Sequence, residues 1–306
     1  MIPATGEVLS HKKYGEHYHS LTIVAPEIGG RVKPGQFVNL RCGEDRAHIL
    51  RRPFSVYRVH KRGGWAPTIE VVFDIRGPGT KYLSQLRGYD PIDMVGPLGR
   101  GFSLPSRRAH CLLVGGGVGA APLFFLADEL RAAGHRVDFV LGARDSGLLL
   151  NSIDVRRLAS VYRITTEDGS QGERGRVTDV LEDMIDRCGS EVVYTCGPHP
   201  MLAAVSGACV ERKIPVQVAV EEVMGCGYGV CLTCVMPVRS GKKGQQGEVT
   251  YARSCTEGPV FNGARVLWDG DAGAVSEDQG ELTPAGAPSR HGGFAQTAGE
   301  HPPPGN

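Results

Sequence analysis

The sequence predicts a β-barrel plus α/β protein, with an antiparallel barrel, a Rossmann-like parallel-sheet domain and a small cysteine-rich C-terminal domain. Residues 5–104 hold short runs of β-branched and aromatic residues separated by Gly and Pro, which is typical of antiparallel strands. From residue 109, apolar strands alternate with helical runs, which predicts a parallel sheet. Four cysteines then cluster after residue 225.

The first of these units is assigned to residues 1–105. Its predicted strands cover residues 20–24, 37–41, 54–60, 68–75 and 92–95, and an antiparallel barrel is their natural packing. Turns are predicted at Gly29-Gly30, Lys33-Pro34-Gly35 and Gly63-Gly64.

The second unit is assigned to residues 106–218. Strands are predicted at residues 111–114, 137–141, 162–165 and 191–196, and helices at residues 122–133, 177–187 and 201–212. This alternation of strand and helix is typical of a nucleotide-binding domain.

Composition limits the classes of partner. The chain has 306 residues, of which 41% are hydrophobic, so it can supply the cores of two domains. A net charge of +1 favours neither nucleic acid nor an anionic membrane as a partner. Because we find neither a signal-peptide pattern nor a run of membrane-spanning length, we expect a cytoplasmic protein that binds no membrane.

The cysteine cluster defines the third unit, residues 219–268. Cys226, Cys231 and Cys234 are separated by four and then two residues, and Cys255 follows after twenty more. This is the plant-type ferredoxin spacing for a [2Fe–2S] cluster. Gly225, Gly227 and Gly229 would give the loop its φ freedom, and Val230, Leu232 and Val235 would keep water from the sulfurs.

A structural zinc site is the alternative interpretation of the four thiols, because four thiolates also suit tetrahedral Zn²⁺. Zinc sites usually present two tight Cys pairs, whereas three thiols are grouped here and one is remote, so the spacing favours iron–sulfur. Of the other cysteines, Cys42, Cys111, Cys188 and Cys209 are expected to be small buried hydrophobes.

The last unit, residues 269–306, is predicted to be a disordered tail. It is rich in Gly and Pro, and its large apolar side chains are limited to Val275, Leu282 and Phe294. Such a composition cannot offset the entropy of ordering.

Two stretches of the barrel could bind the phosphates and ring of a dinucleotide. Arg51-Arg52-Pro53-Phe54-Ser55 combines guanidinium groups suited to a pyrophosphate with a hydroxyl that can bond a flavin ring. Gly77-Pro78-Gly79-Thr80 precedes a helix predicted to begin near Lys81, with Thr80 as its cap and an anion site at its start. Each stretch alone is also compatible with an ordinary turn.

Two turns of the second unit are candidates for nicotinamide binding. Gly115, Gly116, Gly117 and Gly119 lie between an apolar strand and a helix, although a purely structural turn is the alternative. Cys196, Gly197 and Pro198 also follow a strand, which puts Cys196 at the carboxyl edge of the sheet as the candidate catalytic-site residue. Arg144 suits a 2′-phosphate and Asp145 a ribose hydroxyl, so NAD and NADP both remain possible.

The order of these motifs resembles the ferredoxin–NADP reductase superfamily: Arg-Pro-Phe-Ser, Gly-Pro-Leu-Gly, Gly-Gly-Gly-Val-Gly and Cys-Gly-Pro. The segment from Glu221 to Cys234, together with Cys-Thr-Glu-Gly-Pro-Val-Phe from Cys255, narrows the resemblance. It is similar to the electron-transfer subunits of class B, NAD-linked dihydroorotate dehydrogenases. The resemblance covers residues 5–268.

This resemblance implies an FAD-binding barrel, an NAD(H) domain and four cluster ligands, Cys226, Cys231, Cys234 and Cys255. The residues that it implies contact FAD are Arg52, Pro53, Phe54, Ser55, Val72, Phe73, Asp74, Gly79 and Thr80. Asp74 stands where the family pattern would have a basic residue.

The function that the resemblance implies is electron transfer in pyrimidine biosynthesis. A partner catalytic subunit containing FMN would oxidise dihydroorotate, and this oxidoreductase component would carry the electrons through [2Fe–2S] and FAD to NAD⁺. A heterotetramer of two copies of each subunit is expected, with an apolar surface patch beside the cluster. The alternatives are a reductase subunit of a sulfhydrogenase or glutamate-synthase-like complex, and a zinc-stabilised binding protein without redox activity.

Overall fold

The first strands of the chain close into an antiparallel barrel, which confirms the predicted architecture. The computed structural model describes residues 1–43, 49–62, 65–241 and 246–268. The barrel strands are β1 (Ile2–Tyr14), β2 (Tyr18–Val24), β3 (Phe37–Leu40), β4 (Arg52–Arg62), β5 (Trp65–Asp74) and β6 (Pro91–Leu98). Around the barrel they follow the order β1, β2, β5, β4, β3, β6.

Alternate side chains of the barrel strands form its core. Leu21 and Ile23 of β2 are fully buried with Ile69 and Val71 of β5. Because successive side chains of a strand point to opposite faces, the residues between them are directed away from this core. Two short helices, α1 (Pro26–Gly29) and α2 (Pro78–Leu83), complete this part of the chain.

The second part is a seven-stranded sheet. Its parallel strands are β7 (His110–Gly116), β8 (Arg136–Ala143), β9 (Tyr162–Thr166), β10 (Glu173–Arg174), β11 (Val192–Cys196) and β12 (Val216–Ala219). The helices between them are α3 (Ala121–Ala132), α4 (Ser152–Leu158), α5 (Leu181–Cys188) and α6 (His199–Glu211). The predicted parallel sheet is thereby confirmed.

The cysteine-rich segment is attached to the edge of this sheet. It contains a hairpin of β13 (Val235–Arg239) and β14 (Val249–Arg253), followed by β15 (Val260–Asn262). Strand β15 pairs antiparallel with β12, and Met236, Val238 and Ala252 join a core shared with the sheet domain. The segment thus borrows the core that it is too short to form alone.

Several elements differ from the sequence prediction. Strand β1 and helix α4 were not predicted, because the mixed burial of β1 and the shortness of α4 leave weak patterns. The helix predicted at residues 177–187 is a 3₁₀ turn, Val177–Asp179, followed by α5. The predicted boundaries at residues 105, 218 and 268 stay predictions, and the predicted tail lies outside the described residues.

Arg58 of β4 joins the barrel to the sheet domain. Its Nη1 donates to Asp154 Oδ2 of α4 at 2.7 Å, and its Nε lies 3.2 Å from Asp128 Oδ2 of α3. The guanidinium also lies 5.1 Å from the centroid of the Tyr57 ring, and the side chain is 19% exposed. Two acidic groups from separate helices therefore converge on one largely buried cation.

Two further hydrogen bonds cross the same boundary. Asn151 Nδ2 donates to Tyr57 Oη at 2.9 Å, and Tyr18 Oη donates to the carbonyl of Leu148 at 2.8 Å. The stretch from Leu148 to Asp154 is therefore fixed against the barrel at three points, Leu148, Asn151 and Asp154. In the part of the chain that the structure describes, no helix is long and apolar enough to cross a membrane.

We expect Arg58→Ala to lower the free energy of unfolding by about 3 kcal/mol, because it leaves two carboxylates without their largely buried partner. Urea unfolding measures the change. The control is Arg157→Ala, since Arg157 is 78% exposed and lies 3.5 Å from the same Asp154, so its loss should cost no more than about 0.5 kcal/mol. Equal effects of the two variants would contradict the assignment of Arg58 to the domain joint.

Candidate functional site

The predicted flavin motif begins strand β4 and pairs with β3. Phe37 is opposite Ser55, and Asn39 is opposite Pro53. Phe54 is buried, and its ring meets the ring of Phe73 edge to face at 5.8 Å. Because Phe73 lies near the end of β5, the structure brings two of the predicted flavin stretches together.

Gly79 lies against the same motif. A methyl group at Gly79 would stand 3.9 Å from Arg52 Cγ and 3.1 Å from Cys42 Cβ, so the start of α2 approaches Arg52 closely. The Arg52 side chain is exposed, as a phosphate-binding guanidinium must be. The structure therefore groups Arg52 with Gly79, as expected of a single binding site.

Thr80 differs from its predicted role as a helix cap. The cap of α2 is Gly77, and Thr80 lies three residues further on. Its Oγ1 accepts the N–H groups of Arg76 and Gly77 at 2.9 and 3.2 Å. The prediction was wrong because Pro78 starts the helix earlier than Lys81.

Asp74 is paired with a neighbouring cation. Arg76 Nε donates to Asp74 Oδ2 at 2.8 Å, and the Arg76 side chain is mostly exposed. A basic side chain therefore stands two residues after the position where the family pattern would have one. Hydrogen bonding to Asp74 raises the pKa of Arg76, which keeps the guanidinium charged.

The two predicted nicotinamide turns lie side by side at the carboxyl edge of the sheet. Gly115 of β7 is the register partner of Cys196 of β11. A methyl group at Gly119 would stand 2.8 Å from Gly197 Cα, and one at Gly116 would stand 3.0 Å from Pro198 Cδ. The turns have no space for side chains between them, so glycine is what lets the two backbones approach each other closely.

Gly117 brings this edge to the barrel. It has a left-handed φ of +55°, and a methyl group there would stand 3.8 Å from Tyr18 Oη. Burial raises the pKa of Tyr18 to about 12, with Asp74 as the next cause. The phenol therefore stays protonated and can keep its hydrogen bond to the carbonyl of Leu148.

Cys196 is buried as a thiol rather than a thiolate. Burial raises its pKa, and the charge of Glu221 raises it further. The side chain can therefore line the nicotinamide site, but it is not an ionised nucleophile at neutral pH. His199 lies nearby at the start of α6, with its Nε2 3.5 Å from Glu222 Oε1.

The four clustered thiols lie as two pairs. Cys226 Sγ accepts the N–H groups of Val230 and Cys231 at 3.3 and 3.5 Å. Cys231 Sγ accepts the N–H of Cys226 at 3.4 Å and the hydroxyl of Thr233 at 3.2 Å. Cys234 and Cys255 form the other pair, which is 1% exposed. Within the described ranges, no three His, Cys, Asp or Glu side chains are close enough to hold a metal ion.

The surroundings of Cys226 and Cys231, the more exposed pair, favour the ionised thiolate. Hydrogen bonds from the Thr233 hydroxyl and backbone, and from Cys226, lower the pKa of Cys231 to about 6. Backbone N–H groups also lower the pKa of Cys226, against the opposing effect of burial. Burial and the nearby Cys234 raise the pKa of Cys255 to about 12, so the Cys255 thiol ionises near neutral pH only when a cation is bound. This chemistry fits a thiolate-ligated metal group.

The glycines of the loop serve two purposes. Gly227 and Gly229 have φ values of +81° and +86°, which confirms the predicted need for φ freedom at these two positions. At Gly225 the φ is not left-handed, but a methyl group there would stand 3.1 Å from Cys231 Sγ. Gly225 is therefore needed because it leaves space for the Cys231 sulfur, and not because the backbone turns there.

Of the three apolar side chains predicted to cover the sulfurs, Val230 and Leu232 do not do so, whereas Val235 is half-buried. Val230 and Leu232 are 74% and 56% exposed, since they project from the loop into solvent. The cover comes instead from Phe37 and Leu98 of the barrel, which pack against Cys234 and Cys255. Val223 and Tyr228 are also exposed, and we call these two side chains together with Val230 and Leu232 the loop patch. The apolar patch expected beside the cluster stays a prediction.

Two residues that hold the loop were missed by sequence reasoning. Asn39 Nδ2 donates to the carbonyl of Cys226 at 2.9 Å, and Arg253 Nη1 donates to the carbonyl of Gly229 at 3.3 Å. Arg253 is itself held by Glu257 at 3.3 Å. Nothing in the spacing of the motif indicates these contacts, because they depend on which strand lies beside the loop.

Two sequence families match parts of the chain. Residues 221–267 match the iron–sulfur cluster binding domain of dihydroorotate dehydrogenase B, and residues 113–207 match the oxidoreductase NAD-binding domain. The first match contains all four clustered cysteines, and the second contains both glycine-rich turns. These matches favour iron–sulfur over zinc as the group that the thiols hold.

Full-length relatives agree with the domain matches. The chain is 38% identical over 245 residues to the dihydroorotate dehydrogenase B (NAD(+)) electron transfer subunit of Desulforamulus reducens, covering 80% of this chain and 90% of the relative. It is 36% identical to the subunit of the same name from Geobacillus thermodenitrificans, covering 85% of this chain and 96% of the relative.

Solved structures show the same fold. An NADH-dependent reduced ferredoxin–NADP oxidoreductase, studied for flavin-based electron bifurcation, aligns with a TM-score of 0.74 and 29% identity over 88% of this chain and 92% of its own. A ferredoxin–NADP⁺ reductase from Neisseria gonorrhoeae with bound FAD and NADP aligns with a TM-score of 0.57 and 18% identity over 68% of this chain and 91% of its own. The second likeness concerns the fold alone.

We expect Gly119→Ala to weaken NADH binding at least about tenfold, or about 1.4 kcal/mol, because the added methyl would force apart the two turns. Titration of NADH against the purified protein measures the dissociation constant. Gly207→Ala is the control, since a methyl there, in α6, meets no atom within 4 Å. Unchanged affinity in Gly119→Ala would show that the dinucleotide does not occupy these turns.

Proposed function

Because this chain belongs to the family of electron-transfer subunits of dihydroorotate dehydrogenase B, we propose that it carries electrons from a catalytic partner through a [2Fe–2S] cluster and FAD to NAD⁺. The partner subunit would contain FMN and oxidise dihydroorotate to orotate in pyrimidine biosynthesis. The observation that carries this proposal is the match of residues 221–267, with their four clustered thiols, to the cluster-binding domain of that enzyme.

We assign to each group the residues that the sequence motifs indicate. Cys226, Cys231, Cys234 and Cys255 hold the cluster. The flavin site takes Arg52, Pro53, Phe54, Ser55, Val72, Phe73, Asp74, Gly79 and Thr80. The nicotinamide site takes Gly115, Gly116, Gly117, Gly119, Cys196, Gly197 and Pro198. When bound, FAD links one-electron transfer on the cluster side with two-electron transfer on the NAD side.

The chain's own contribution is to hold and screen these groups. Backbone N–H groups of Val230 and Cys231 are directed at Cys226 Sγ, where they stabilise negative charge on sulfur. Phe37 and Leu98 pack against Cys234 and Cys255 and exclude water from these two thiols. Tyr18, Tyr57 and Arg58 fix the sheet domain against the barrel, which keeps the two dinucleotide sites in register.

The loop patch supports a protein partner on the cluster side. Four exposed apolar side chains within ten residues are unusual on a surface that has no partner, and the same stretch contains Cys226 and Cys231, the more exposed thiols. We assign this patch to the FMN-containing subunit, since a one-electron carrier must lie close to both flavins. A heterotetramer with two copies of each subunit in the cytoplasm is the assembly that we propose.

The choice of NAD is supported by Asp145 at the carboxyl end of β8. A carboxylate at this position accepts a hydrogen bond from a ribose hydroxyl and repels a 2′-phosphate. Its Oδ1 accepts the N–H of Leu148 at 3.1 Å, which fixes the side chain at the edge of the sheet. The relatives are likewise named for NAD(+).

We expect the purified protein to be brown, to contain about two iron atoms per chain and to give an EPR signal after reduction. Cys255→Ser should lose most of the iron and keep FAD, since the flavin residues lie on other elements. Cys209→Ser, at a buried thiol of α6, is the control and should keep both groups. A colourless protein that contains zinc would contradict the redox function.

We expect Val230→Glu to weaken binding of the catalytic subunit about tenfold or more, because a charge would be buried in the subunit interface. Sedimentation of the mixed subunits measures the affinity. Ile153→Glu is the control, since Ile153 is equally exposed on α4, away from the loop patch.

A native partner that oxidises a sulfur compound or glutamate, instead of dihydroorotate, would refute the assigned pathway.

A further inference from the structure

Strand β3 presents two buried side chains to the cysteine loop. Phe37 and Asn39 are two residues apart, so they lie on the same face of the strand. Phe37 packs against Cys234 and Cys255, and Asn39 Nδ2 donates to the carbonyl of Cys226. Both side chains are at most 3% exposed. One face of a barrel strand therefore contacts three of the four assigned cluster ligands.

The loop is shaped to receive Asn39. Gly227 follows Cys226, has a φ of +81°, and lies so close to Asn39 that a methyl group would overlap its Nδ2. Any side chain at position 227 would push the amide away from the Cys226 carbonyl. The glycine after the first cysteine is thus required by a barrel residue as well as by the turn.

One edge of the same strand is hydrogen-bonded to the strand that carries the flavin motif. Asn39 is the register partner of Pro53, and Phe37 is that of Ser55. Partners in an antiparallel pair have Cα atoms about 4.5–5.5 Å apart. Asn39 therefore stands one strand from the residues assigned to FAD and one hydrogen bond from the first assigned cluster ligand.

An amide at this position is not the most stable choice. Asn39 Oδ1 is buried and has no hydrogen-bond donor within the described part of the chain. A buried acceptor without a donor costs about 1–3 kcal/mol, which an apolar side chain of similar size would avoid. The amide therefore serves a purpose other than packing.

We propose that Asn39 is a positioning residue for electron transfer between the cluster and FAD. Its amide fixes the Cys226 peptide against the strand that also carries the flavin motif, and so sets the separation of the two groups. This inference rests on the proposed function. In the reaction tested, one NADH supplies two electrons and one proton as a hydride to FAD and leaves as NAD⁺. The oxidised cluster would take up one of the electrons, and the other would stay on the flavin.

The test compares two steps in the assembled complex with Asn39→Leu, which keeps the volume and removes the donor. Anaerobic mixing with NADH gives flavin reduction from its absorbance and cluster reduction from freeze-quench EPR. We expect flavin reduction within about twofold of the unsubstituted protein and cluster reduction about 10-fold to 100-fold slower, the usual effect of losing a partner of a metal ligand. A change in the EPR g-values should accompany it.

Gln36→Leu is the matched control. Gln36 Nε2 donates to the carbonyl of Gly99 at 2.6 Å, so the variant also removes an amide bond to a backbone carbonyl just before β3. The hydrogen bonds of the Gln36 side chain are to Lys33 and Gly99, whereas that of Asn39 is to Cys226, and both rates should therefore stay within about twofold. If Asn39→Leu does not retain two iron atoms and FAD, the rates are measured in Asn39→Ser, whose hydroxyl is too short to replace the amide.

The outcomes separate the two levels of inference. Unsubstituted protein without iron, or with a cluster that NADH cannot reduce, would refute the proposed function before any variant is compared. If the unsubstituted protein behaves as proposed, equal cluster-reduction rates with and without the Asn39 amide would overturn the role of Asn39. Parallel slowing of flavin and cluster reduction would also overturn it, because that result indicates general damage to the barrel.

Discussion

The site depends on the closure of the barrel through β3, a strand of four residues. Its backbone bonds to β4 on one edge and β6 on the other, and its outward side chains form a wall for the cysteine loop. A one-residue shift in this register would turn Phe37 and Asn39 into the barrel and direct Val38 at the loop. The apolar core of the barrel thus determines where the thiols are held.

The joint between barrel and sheet domain imposes a second constraint. Arg58 is stable in its largely buried position because Asp128 and Asp154 approach it from two helices. Charges in such a site are stabilising only when all partners are in place, so the joint favours one arrangement of the two domains over nearby ones. The glycine-rich edge of the sheet is thereby held next to Tyr18 of the barrel.

Much of this organisation could be predicted from local sequence. The cysteine spacing, the glycine turns after β7 and β11, and the strand and helix periods are encoded within short windows. The structure brings the two glycine turns together as expected, and it places the four thiols as two pairs. Asn39, Arg58 and Arg253 could not be predicted, because their roles come from contacts between distant segments. The exposure of Val230 and Leu232 was missed for a similar reason: an apolar residue beside a cluster can face either the sulfurs or a second protein, and spacing does not distinguish them.

The attachment of the cysteine segment has a consequence for the history of the fold. The chain leaves the sheet after Ala219 and returns at Val260, and these residues are direct register partners. Their Cα atoms are thus about 5 Å apart, a gap that a tight turn could close. The forty residues between them form an insertion at one edge of the sheet. Such a module could be gained or removed during evolution while the barrel and the parallel sheet kept their hydrogen bonds.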